Sequence, residues 1–405
     1  MFGVETRLKI MIAKIKLSRR TCFIMSMLLV AVCINAQDLN TLVAKQIDSI
    51  RIANNIPSIA YGVIRNDSVV VINAVGYRDI LTKDPSQPDD CYNIGSNTKS
   101  FTGFLAAKMV EDNLINWDTK FFDLYPELKS ESNPAYYNIT LKELLSHRAR
   151  LINFEGVSEA TLIIDKYKKN IKDSLSWPEK RYYLIKEVLK CEPLPPYGEC
   201  KRSYSNAGFI AAALMLEKVT GQSWESLMTK LSKDLNLGIH IGSPIDLGID
   251  QPKGHINPKL WGGINKEIPV QDEQRQMPGV FYEYLQLCTP SGNISINVND
   301  FLKFLQLNIN GINGENNYLK SETYRQIFTT YPSYSMGWWI EPEESLIYSH
   351  RGSNSMFNSF AGISPEKKIG IVVMMNACND EVVTKTLNLL KNNYIKTNNS
   401  SLDEE

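Results

Sequence analysis

Segments with the composition of β-strands lie near both ends of this 405-residue chain, and the long region between them is helical and rich in loops. The first two strand-like segments, Ser58 to Ile64 and Ser68 to Ala74, are separated by the turn dipeptide Asn66-Asp67. Four more follow after residue 333: Met336 to Ile340, Leu346 to Ser349, Phe357 to Ile363 and Ile369 to Met375. Because an isolated hairpin cannot bury its apolar face, strands from both ends are expected to share one antiparallel sheet.

Apolar residues at helical spacing predict the helices 39–55, Phe101 to Glu111, Leu141 to Ser146, Lys180 to Leu189, Ala207 to Thr220, Trp224 to Leu235, Asp300 to Leu307 and Asp380 to Asn392. The fold class is therefore α+β (an α/β sandwich), with an antiparallel sheet from both termini, flanking helices and an inserted all-helical subdomain. We expect one domain over residues 37–395, its sheet part at 37–95 and 290–395 and its helical part at 96–289. The polar residues 396–405 are predicted to be a disordered tail.

The first 36 residues have the organisation of a secretory signal peptide. Basic residues precede an apolar run from Phe23 to Ile34, and Asn35-Ala36-Gln37 follows as a cleavage site. The run is too short to span a membrane, which takes about 20 residues. We therefore expect an exported, periplasmic protein that begins near Gln37 and has no integral membrane span. Lipid anchoring at Cys33 is disfavoured, since the bulky Val32 precedes it.

Composition excludes several classes of partner. Without residues 1–36, the chain keeps 38 basic and 43 acidic residues, a net charge of −5, and it has no basic patch for nucleic acid. The four histidines, His147, His240, His255 and His350, lack the spacing of metal ligands, so we expect neither a metal nor another cofactor. Cys191 and Cys200 flank a turn-rich segment and are equally consistent with a disulfide and with free thiols.

The tetrad Ser96-Asn97-Thr98-Lys99 pairs a hydroxyl with an amine just before a helix. Residues three apart share a helix face, and a serine hydroxyl becomes a nucleophile when a neighbouring base takes its proton. A lysine has a pKa of about 10.4, so burial beside other cations must lower it before it can act as that base. Ser-x-x-Lys is the signature of penicillin-recognising serine enzymes. A second copy, Ser364 to Lys367, contains Pro365 between two strand-like segments and is interpreted as a hairpin turn.

Two further motifs complement the tetrad. Tyr204-Ser205-Asn206 precedes a helix, and a tyrosine of lowered pKa there would relay a proton to the leaving group while Asn206 orients Lys99 and the substrate amide. The rival Tyr136-Tyr137-Asn138 lies before Thr140, the expected cap of a helix, and a turn accounts for it.

His350-Arg351-Gly352-Ser353 follows a predicted strand, and Gly352 lets a substrate approach the backbone. The Ser353 N–H, with that of Ser96, would form an oxyanion hole. The rival His240-Ile241-Gly242 lies in a predicted loop. Chain order separates the two sets of motifs, because only Ser96, Tyr204 and His350 follow the order nucleophile helix, helical-domain loop, late strand.

On these motifs the chain resembles the serine β-lactamase-related family, which contains class C β-lactamases, D,D-carboxypeptidase-type penicillin-binding proteins, D-aminopeptidases and esterases. The resemblance covers essentially the whole mature chain. It includes the segments Ile139 to His147, Gln251 to His255, Pro290-Ser291-Gly292 and Met336 to Trp339. It implies a β-lactamase/transpeptidase-like fold, with Ser96 as the acylated nucleophile, Lys99 as its base partner and Tyr204 as the proton relay. His350 takes the place of the lysine in the family's Lys-Thr-Gly motif.

Two departures from the family pattern bear on the substrate. Arg148-Ala149-Arg150 replaces the usual Thr-Ser-Gly, either neutralising a helix end or placing an arginine, such as Arg148, to bind a substrate carboxylate. His350 replaces a fixed positive charge, and a histidine with a pKa of about 6.5 is largely neutral at pH 7. Arg351 is a candidate substitute, but in a strand its side chain points to the opposite face from His350.

The sequence thus predicts an exported serine hydrolase that forms an acyl-enzyme on Ser96 and acts on a small ester, amide or short peptide, with acyl transfer to an alcohol or amine as a variant. Two alternatives stay open: a penicillin-binding D,D-peptidase or class C-like β-lactamase, and a non-catalytic binding protein on the same fold. The predicted substrate-binding residues are Asn206, Gly352, Ser353, Arg351 and Arg148. The sequence does not distinguish a monomer from an oligomer.

Overall fold

The computed structural model describes residues 37–155, 157–168, 174–196, 202–248, 250–256 and 279–395. The predicted signal peptide, the predicted C-terminal tail and Cys200 lie outside these residues, and the predictions for them remain open. Cys191 forms no disulfide with a cysteine of the described residues. Within the described part of the chain, no helix combines the length and the apolar character needed to cross a membrane.

The strands of the described residues are β1 (Ser58–Arg65), β2 (Ser68–Gly76), β3 (Tyr92–Asn93), β4 (His240–Ile241), β5 (Ile294–Ile296), β6 (Tyr334–Ser335), β7 (Trp338–Ile340), β8 (Tyr348–Ser353), β9 (Asn358–Ser364) and β10 (Ile369–Met375). Seven of them form one antiparallel sheet in the order β2-β1-β10-β9-β8-β7-β6. Since β1 pairs with β10 over the register Ile59–Met375 to Arg65–Ile369, strands from the two ends of the chain are neighbours within this sheet. The predicted fold class is confirmed.

The turns of this sheet follow from the sequence. Asn66 and Asp67 both have positive φ, 47° and 63°, as a tight turn between β1 and β2 requires. Residues 365–368 form the turn between β9 and β10. The second Ser-x-x-Lys copy therefore lies on a hairpin, as predicted, and has no helix to align its serine with its lysine.

The helices are α1 (37–53), α2 (Thr98–Glu111), α3 (Phe121–Leu124), α4 (Leu141–Leu145), α5 (Val157–Lys168), α6 (Trp177–Val188), α7 (Asn206–Thr220), α8 (Trp224–Asp234), α9 (Gly279–Leu287), α10 (Thr289–Gly292), α11 (Val298–Ile312), α12 (Ser321–Thr329) and α13 (Asp380–Tyr394). The larger hydrophobic core lies between one face of the sheet and the helical region, and it includes Phe101 and Phe304, whose stacked rings are 3.9 Å apart. A smaller core covers the other face, where α1 and α13 pack. The nucleophile helix α2 thus lies inside the larger core.

Several predicted elements differ from those observed. Strands β3, β4 and β5 form a second, three-stranded sheet that was not predicted, since segments of two or three residues show no alternation. His240–Ile241 is one of these strands and not a loop. The predicted strand Leu346 to Ser349 continues to Ser353, which places His350 within β8.

Candidate active site

Ser96 lies in a 3₁₀ turn, Gly95–Asn97, that leads directly into α2. Lys99 is in the first turn of the helix and is completely buried, whereas Ser96 is partly exposed. Lys99 Nζ donates a hydrogen bond to Ser96 Oγ over 2.9 Å. The spacing of three residues therefore brings the amine and the hydroxyl together, as the tetrad predicts.

Lys99 Nζ makes two further hydrogen bonds, to Asn206 Oδ1 over 2.7 Å and to the Ser291 main-chain oxygen over 2.8 Å. Burial lowers the pKa of Lys99 to about 7, although the nearby Cys288 and Glu155 act in the opposite direction. Burial is the cause of the shift, as expected from the sequence, but the neighbouring cations that were also expected are not among its causes. A substantial fraction of Lys99 is consequently neutral near pH 7 and able to accept the proton of Ser96.

The Tyr204 ring is 4.9 Å from Lys99 Nζ, measured to its centroid, and its side chain hydrogen-bonds to Ser96. Burial raises the pKa of Tyr204, and the hydrogen bond with Ser96 only partly offsets this. The lowered tyrosine pKa expected from the sequence is therefore wrong. Tyr204 is a neutral phenol at physiological pH, and it can pass its hydroxyl proton on while it receives another.

Asn206 is the first residue of α7, and the preceding Ser205 caps this helix by accepting a hydrogen bond from Gly208 N over 3.2 Å. The Asn206 Nδ2 donates to Phe154 O over 3.0 Å and to Tyr284 Oη over 3.4 Å. These two contacts hold the amide so that Oδ1 faces Lys99. The Asn206 amide and the Lys99 amine thus form one chain of hydrogen bonds that fixes Lys99 beside Ser96.

Strand β8 runs against the turn that carries Ser96. Gly95 has φ +49°, and a Cβ there would collide with Ser353 N, so this backbone nitrogen lies next to the nucleophile turn. The Ser353 hydroxyl is engaged elsewhere, 2.9 Å from Cys378 Sγ. The backbone amides of Ser96 and Ser353 are thus the pair that can stabilise an oxyanion.

Gly352 allows this close approach, because a Cβ on it would collide with the Ile94 main-chain oxygen. We expect Gly352→Ala to push β8 away from the turn, to cost about 1–3 kcal/mol of stability as overpacking does, and to lower kcat about 100-fold as loss of an oxyanion donor does. Gly221→Ala is the control: its φ of +67° makes alanine costly in stability, but no atom lies within 4 Å of its Cβ position, so it should lower stability and leave kcat unchanged. Thermal unfolding and ester hydrolysis measure the two effects, and full activity in Gly352→Ala would contradict this assignment of β8.

His350 is buried in β8 and hydrogen-bonded through both ring nitrogens. Nδ1 lies 2.5 Å from the Arg351 main-chain oxygen, and Nε2 lies 3.1 Å from Tyr334 Oη. Burial, reinforced by the charge of Lys99, lowers the pKa of His350 to about 3. Nδ1 therefore donates to the carbonyl, and Nε2 accepts from Tyr334. The side chain that replaces the family lysine is neutral at physiological pH.

The two arginines predicted to bind substrate occupy different places. Arg351 is exposed, hydrogen-bonds to Thr384 in α13 over 3.2 Å and lies 5.5 Å from the Phe360 ring centroid. It is on the face of the sheet opposite His350, so the structure does not bring Arg351 to Ser96. Arg148 stacks on Tyr331, its Cζ 4.2 Å from the ring centroid, just beyond the end of α4.

Sequence reasoning did not connect several groups with Lys99, Asn206 or His350 that the fold brings to them. Tyr284 reaches Asn206 from α9, Tyr334 binds His350, and the Ser291 carbonyl binds Lys99. The resemblance included Ser291 but did not show that its carbonyl is the relevant atom. Within the described residues, no group of three or more His, Cys, Asp or Glu side chains is arranged to hold a metal ion.

Known proteins share this architecture. The structure is similar to that of the octameric penicillin-binding protein homologue from Pyrococcus abyssi, with a TM-score of 0.67 and 24% identity over 87% of this chain and 77% of that one. It is equally similar to D-amino acid amidase from Ochrobactrum anthropi SV3, with a TM-score of 0.67 and 19% identity over 87% of this chain and 99% of that one.

In sequence, the chain is 23% identical to Protein flp from Staphylococcus aureus (strain MRSA252) over 346 residues, which are 84% of this chain. The chain spans 63% of the length of that relative. The family model described as Beta-lactamase matches residues 39–391, and these include Ser96, Lys99, Tyr204 and His350. The chain therefore belongs to the beta-lactamase family.

Proposed function

We propose that this protein is a serine hydrolase that forms an acyl-enzyme on Ser96. The observation that carries the proposal is the buried Lys99, whose pKa is lowered to about 7 and whose amine contacts both Ser96 and Asn206. A buried amine next to a partly exposed hydroxyl is the arrangement that an activated nucleophile needs. A purely structural role for these groups would not require a titratable amine in the core.

In the proposed reaction, neutral Lys99 accepts the Ser96 proton as Oγ attacks the substrate carbonyl carbon. The carbonyl oxygen becomes an oxyanion and is stabilised by the backbone amides of Ser96 and Ser353. Collapse breaks the bond to the leaving group, which takes a proton through Tyr204. Water then attacks the acyl-enzyme and releases the acid. An alcohol or amine that attacks in place of water gives acyl transfer, with a new ester or amide as product.

The proposed substrate is a small ester or amide that carries a cationic group, such as a D-aminoacyl compound. Neutral His350 offers no positive charge to a substrate carboxylate. The exposed Glu155 follows Phe154, the residue whose carbonyl binds Asn206, and its negative charge raises the pKa of Lys99, Tyr204 and Tyr284. A substrate ammonium beside the nucleophile would therefore meet a negative potential. The shared fold with a D-amino acid amidase agrees with this substrate class.

We expect Glu155→Gln to raise KM about tenfold for an amino acid ester with a free ammonium, a loss of about 1.4 kcal/mol in binding. The same ester with an acetylated amine should show an unchanged KM. The matched control is Glu366→Gln, which removes a charge from the β9–β10 turn. Steady-state kinetics on the two esters give both values, and equal effects on the charged and the acetylated substrate would exclude Glu155 as the ammonium partner.

Mass spectrometry of the intact protein tests the acyl-enzyme and the acyl preference together. The protein is incubated with p-nitrophenyl esters, D-amino acid amides and penicillins, and adducts are located by peptide mapping. An ester- or amide-derived adduct on Ser96 supports the proposal. A stable adduct from penicillin alone would instead indicate a penicillin-binding D,D-peptidase, and modification of no residue would indicate a non-catalytic binding protein.

We also propose that the protein is exported, on the pattern of residues 1–36. N-terminal sequencing of the protein purified from its source should then begin near Gln37. An N-terminus at or before Met11 would contradict cleavage of a signal peptide.

A further inference from the structure

His147 is a buried histidine that the reaction above does not use, and it lies just after the end of α4. Its main-chain oxygen accepts a hydrogen bond from Ser203 N over 2.8 Å. Its ring Nδ1 accepts one from Ser205 N over 3.0 Å. Ser203 and Ser205 are the residues immediately before and after Tyr204. One residue thus holds the backbone on both sides of the proposed proton relay.

The His147 ring also touches the Tyr204 side chain. The two ring centroids are 4.1 Å apart, and the planes are inclined by 38°. Tyr334 packs against His147 at 4.3 Å, and it is in turn hydrogen-bonded to His350. His147 therefore supports Tyr204 through its backbone and through its ring. The same group of packed rings extends through Tyr334 to His350 in β8.

The protonation state of His147 suits this role. Burial lowers the pKa of His147 well below its ordinary value, and the charges of Lys99 and Arg202 act in the same direction. The ring is therefore neutral, and Nδ1 keeps the lone pair that accepts the Ser205 N–H. The proton is then on Nε2, which has no hydrogen-bond partner among the described residues.

The backbone at His147 is in the left-handed region, with φ +58°. Such a conformation is unfavourable for a residue other than glycine, and it persists only where its surroundings impose it. Here it turns the chain after α4, so that the main-chain oxygen and Nδ1 of one residue both reach the Ser203–Ser205 segment. The strain is offset by two hydrogen bonds at the base of Tyr204.

We propose that His147 is a positioning residue that holds the Tyr204 hydroxyl in line with Ser96 and the leaving group. This role rests on the proposed function, since Tyr204 matters as a relay only if Ser96 is acylated. Loss of His147 should then impair reactions in which the leaving group must be protonated. It should spare reactions whose leaving group departs as a stable anion.

Two variants separate the contributions of His147. His147→Phe keeps a ring against Tyr204 but removes the acceptor for Ser205 N–H. His147→Asn removes the ring but places an oxygen near the Nδ1 position, and asparagine tolerates the left-handed conformation. Each is compared with the unmodified protein on an ethyl ester and a p-nitrophenyl ester of the same acyl group. Tyr204→Phe and the double variant His147→Phe/Tyr204→Phe complete a double-mutant cycle.

We expect His147→Phe to lower kcat for the ethyl ester about 100-fold, as loss of general acid catalysis does, and to change it less than about threefold for the p-nitrophenyl ester. His147→Asn should retain most of the ethyl ester activity. The double variant should be no slower than Tyr204→Phe, because His147 acts through Tyr204. Equal losses on the two esters, or additive losses in the double variant, would overturn the inference.

A measurement without turnover separates this inference from the proposed function. Tyrosines are labelled with carbon-13 at Cζ, and the Tyr204 signal is identified by its absence in Tyr204→Phe. We expect that signal to shift or broaden in His147→Phe and to return close to its original position in His147→Asn. An unchanged Tyr204 signal in folded His147→Phe overturns the inference even if Ser96 is acylated normally. If Ser96 is not acylated but the Tyr204 signal shifts in His147→Phe, the proposed function is overturned and the positioning role of His147 is not.

Discussion

Ser96→Ala is expected to reduce ester hydrolysis by about 10³-fold or more, the scale seen when a catalytic nucleophile is removed. The hydroxyl is the only group in the proposed reaction that forms a covalent bond to the substrate. Its removal leaves the backbone amides of residues 96 and 353, which stabilise the oxyanion, and the substrate-binding groups in place. The residual activity should come from these groups alone. The adduct detected by intact mass in the unmodified protein should disappear as well.

The chain provides its own control for this experiment. Ser364 begins the second Ser-x-x-Lys segment, is buried at the end of β9 and has no helix to align it with Lys367. Ser364→Ala should therefore retain activity within about threefold, as substitutions away from the reacting atoms usually do. If Ser364→Ala abolished hydrolysis and Ser96→Ala did not, the assignment of the nucleophile would be wrong.

Activity should rise with pH across the neutral range, because the base form of Lys99 is the neutral amine. With the pKa of Lys99 lowered to about 7, protonation suppresses the reaction below this pH, and kcat/KM approaches a plateau above it. His350 adds no inflection between pH 5 and 9, since its pKa is lowered to about 3. A profile of kcat/KM from pH 5 to 9 measures the inflection. An activity that falls as the pH rises from 6 to 8 would contradict Lys99 as the base.

Lys99→Met is expected to lower activity about 10³-fold, within the range for loss of a general base, and to remove the inflection near pH 7. Lys108→Met is the matched control, because Lys108 lies on the same helix and makes its contacts with Asp112, over 2.6 Å, and with the Tyr318 ring, 5.6 Å from its centroid. It should leave both the rate and the pH profile unchanged. A Lys99→Met variant that keeps the inflection would assign the titration to another group.

The lowered pKa of Lys99 also makes stability depend on pH. Between the folded value of about 7 and the ordinary value of 10.5, the unfolded chain binds more protons at this residue than the folded chain does. The contribution of Lys99 to the free energy of unfolding therefore increases as the pH rises through this window. We therefore expect the free energy of unfolding of the unmodified protein to increase relative to that of Lys99→Met as the pH rises from 7 to 10. Urea unfolding of both proteins across this range measures the difference.

Long elements with a clear period were predictable from the sequence, and their ends were less so. Strand β10 was predicted at Ile369–Met375, as observed, and helix α7 differs from its prediction only by the addition of Asn206. Both elements are long enough to show their period and are bounded by turn or cap residues. Strands β3, β4 and β5 were missed because only tertiary pairing makes two or three residues a strand.

The environment of the site residues was not predictable in the same way. A lowered pKa was expected for Tyr204, and burial raises it. Burial beside other cations was expected to lower the pKa of Lys99, and burial lowers it without the cations. The sequence contains no measure of how much protein surrounds a side chain, so the sign of a desolvation effect at a given residue follows only from packing.

The sequence by itself determined the identity and order of the chemical groups: Ser96 and Lys99 one helical turn apart, Tyr204 and Asn206 at the start of α7, and His350 to Ser353 late in the chain. It also determined that both termini contribute strands, because apolar alternation is a local property.

Only the tertiary structure decided that His350 is neutral against Tyr334, that Arg351 lies on the opposite face of the sheet, and that His147 holds both neighbours of Tyr204. These outcomes depend on distances between residues far apart in the chain, and such distances are set by packing around the sheet and not by local sequence.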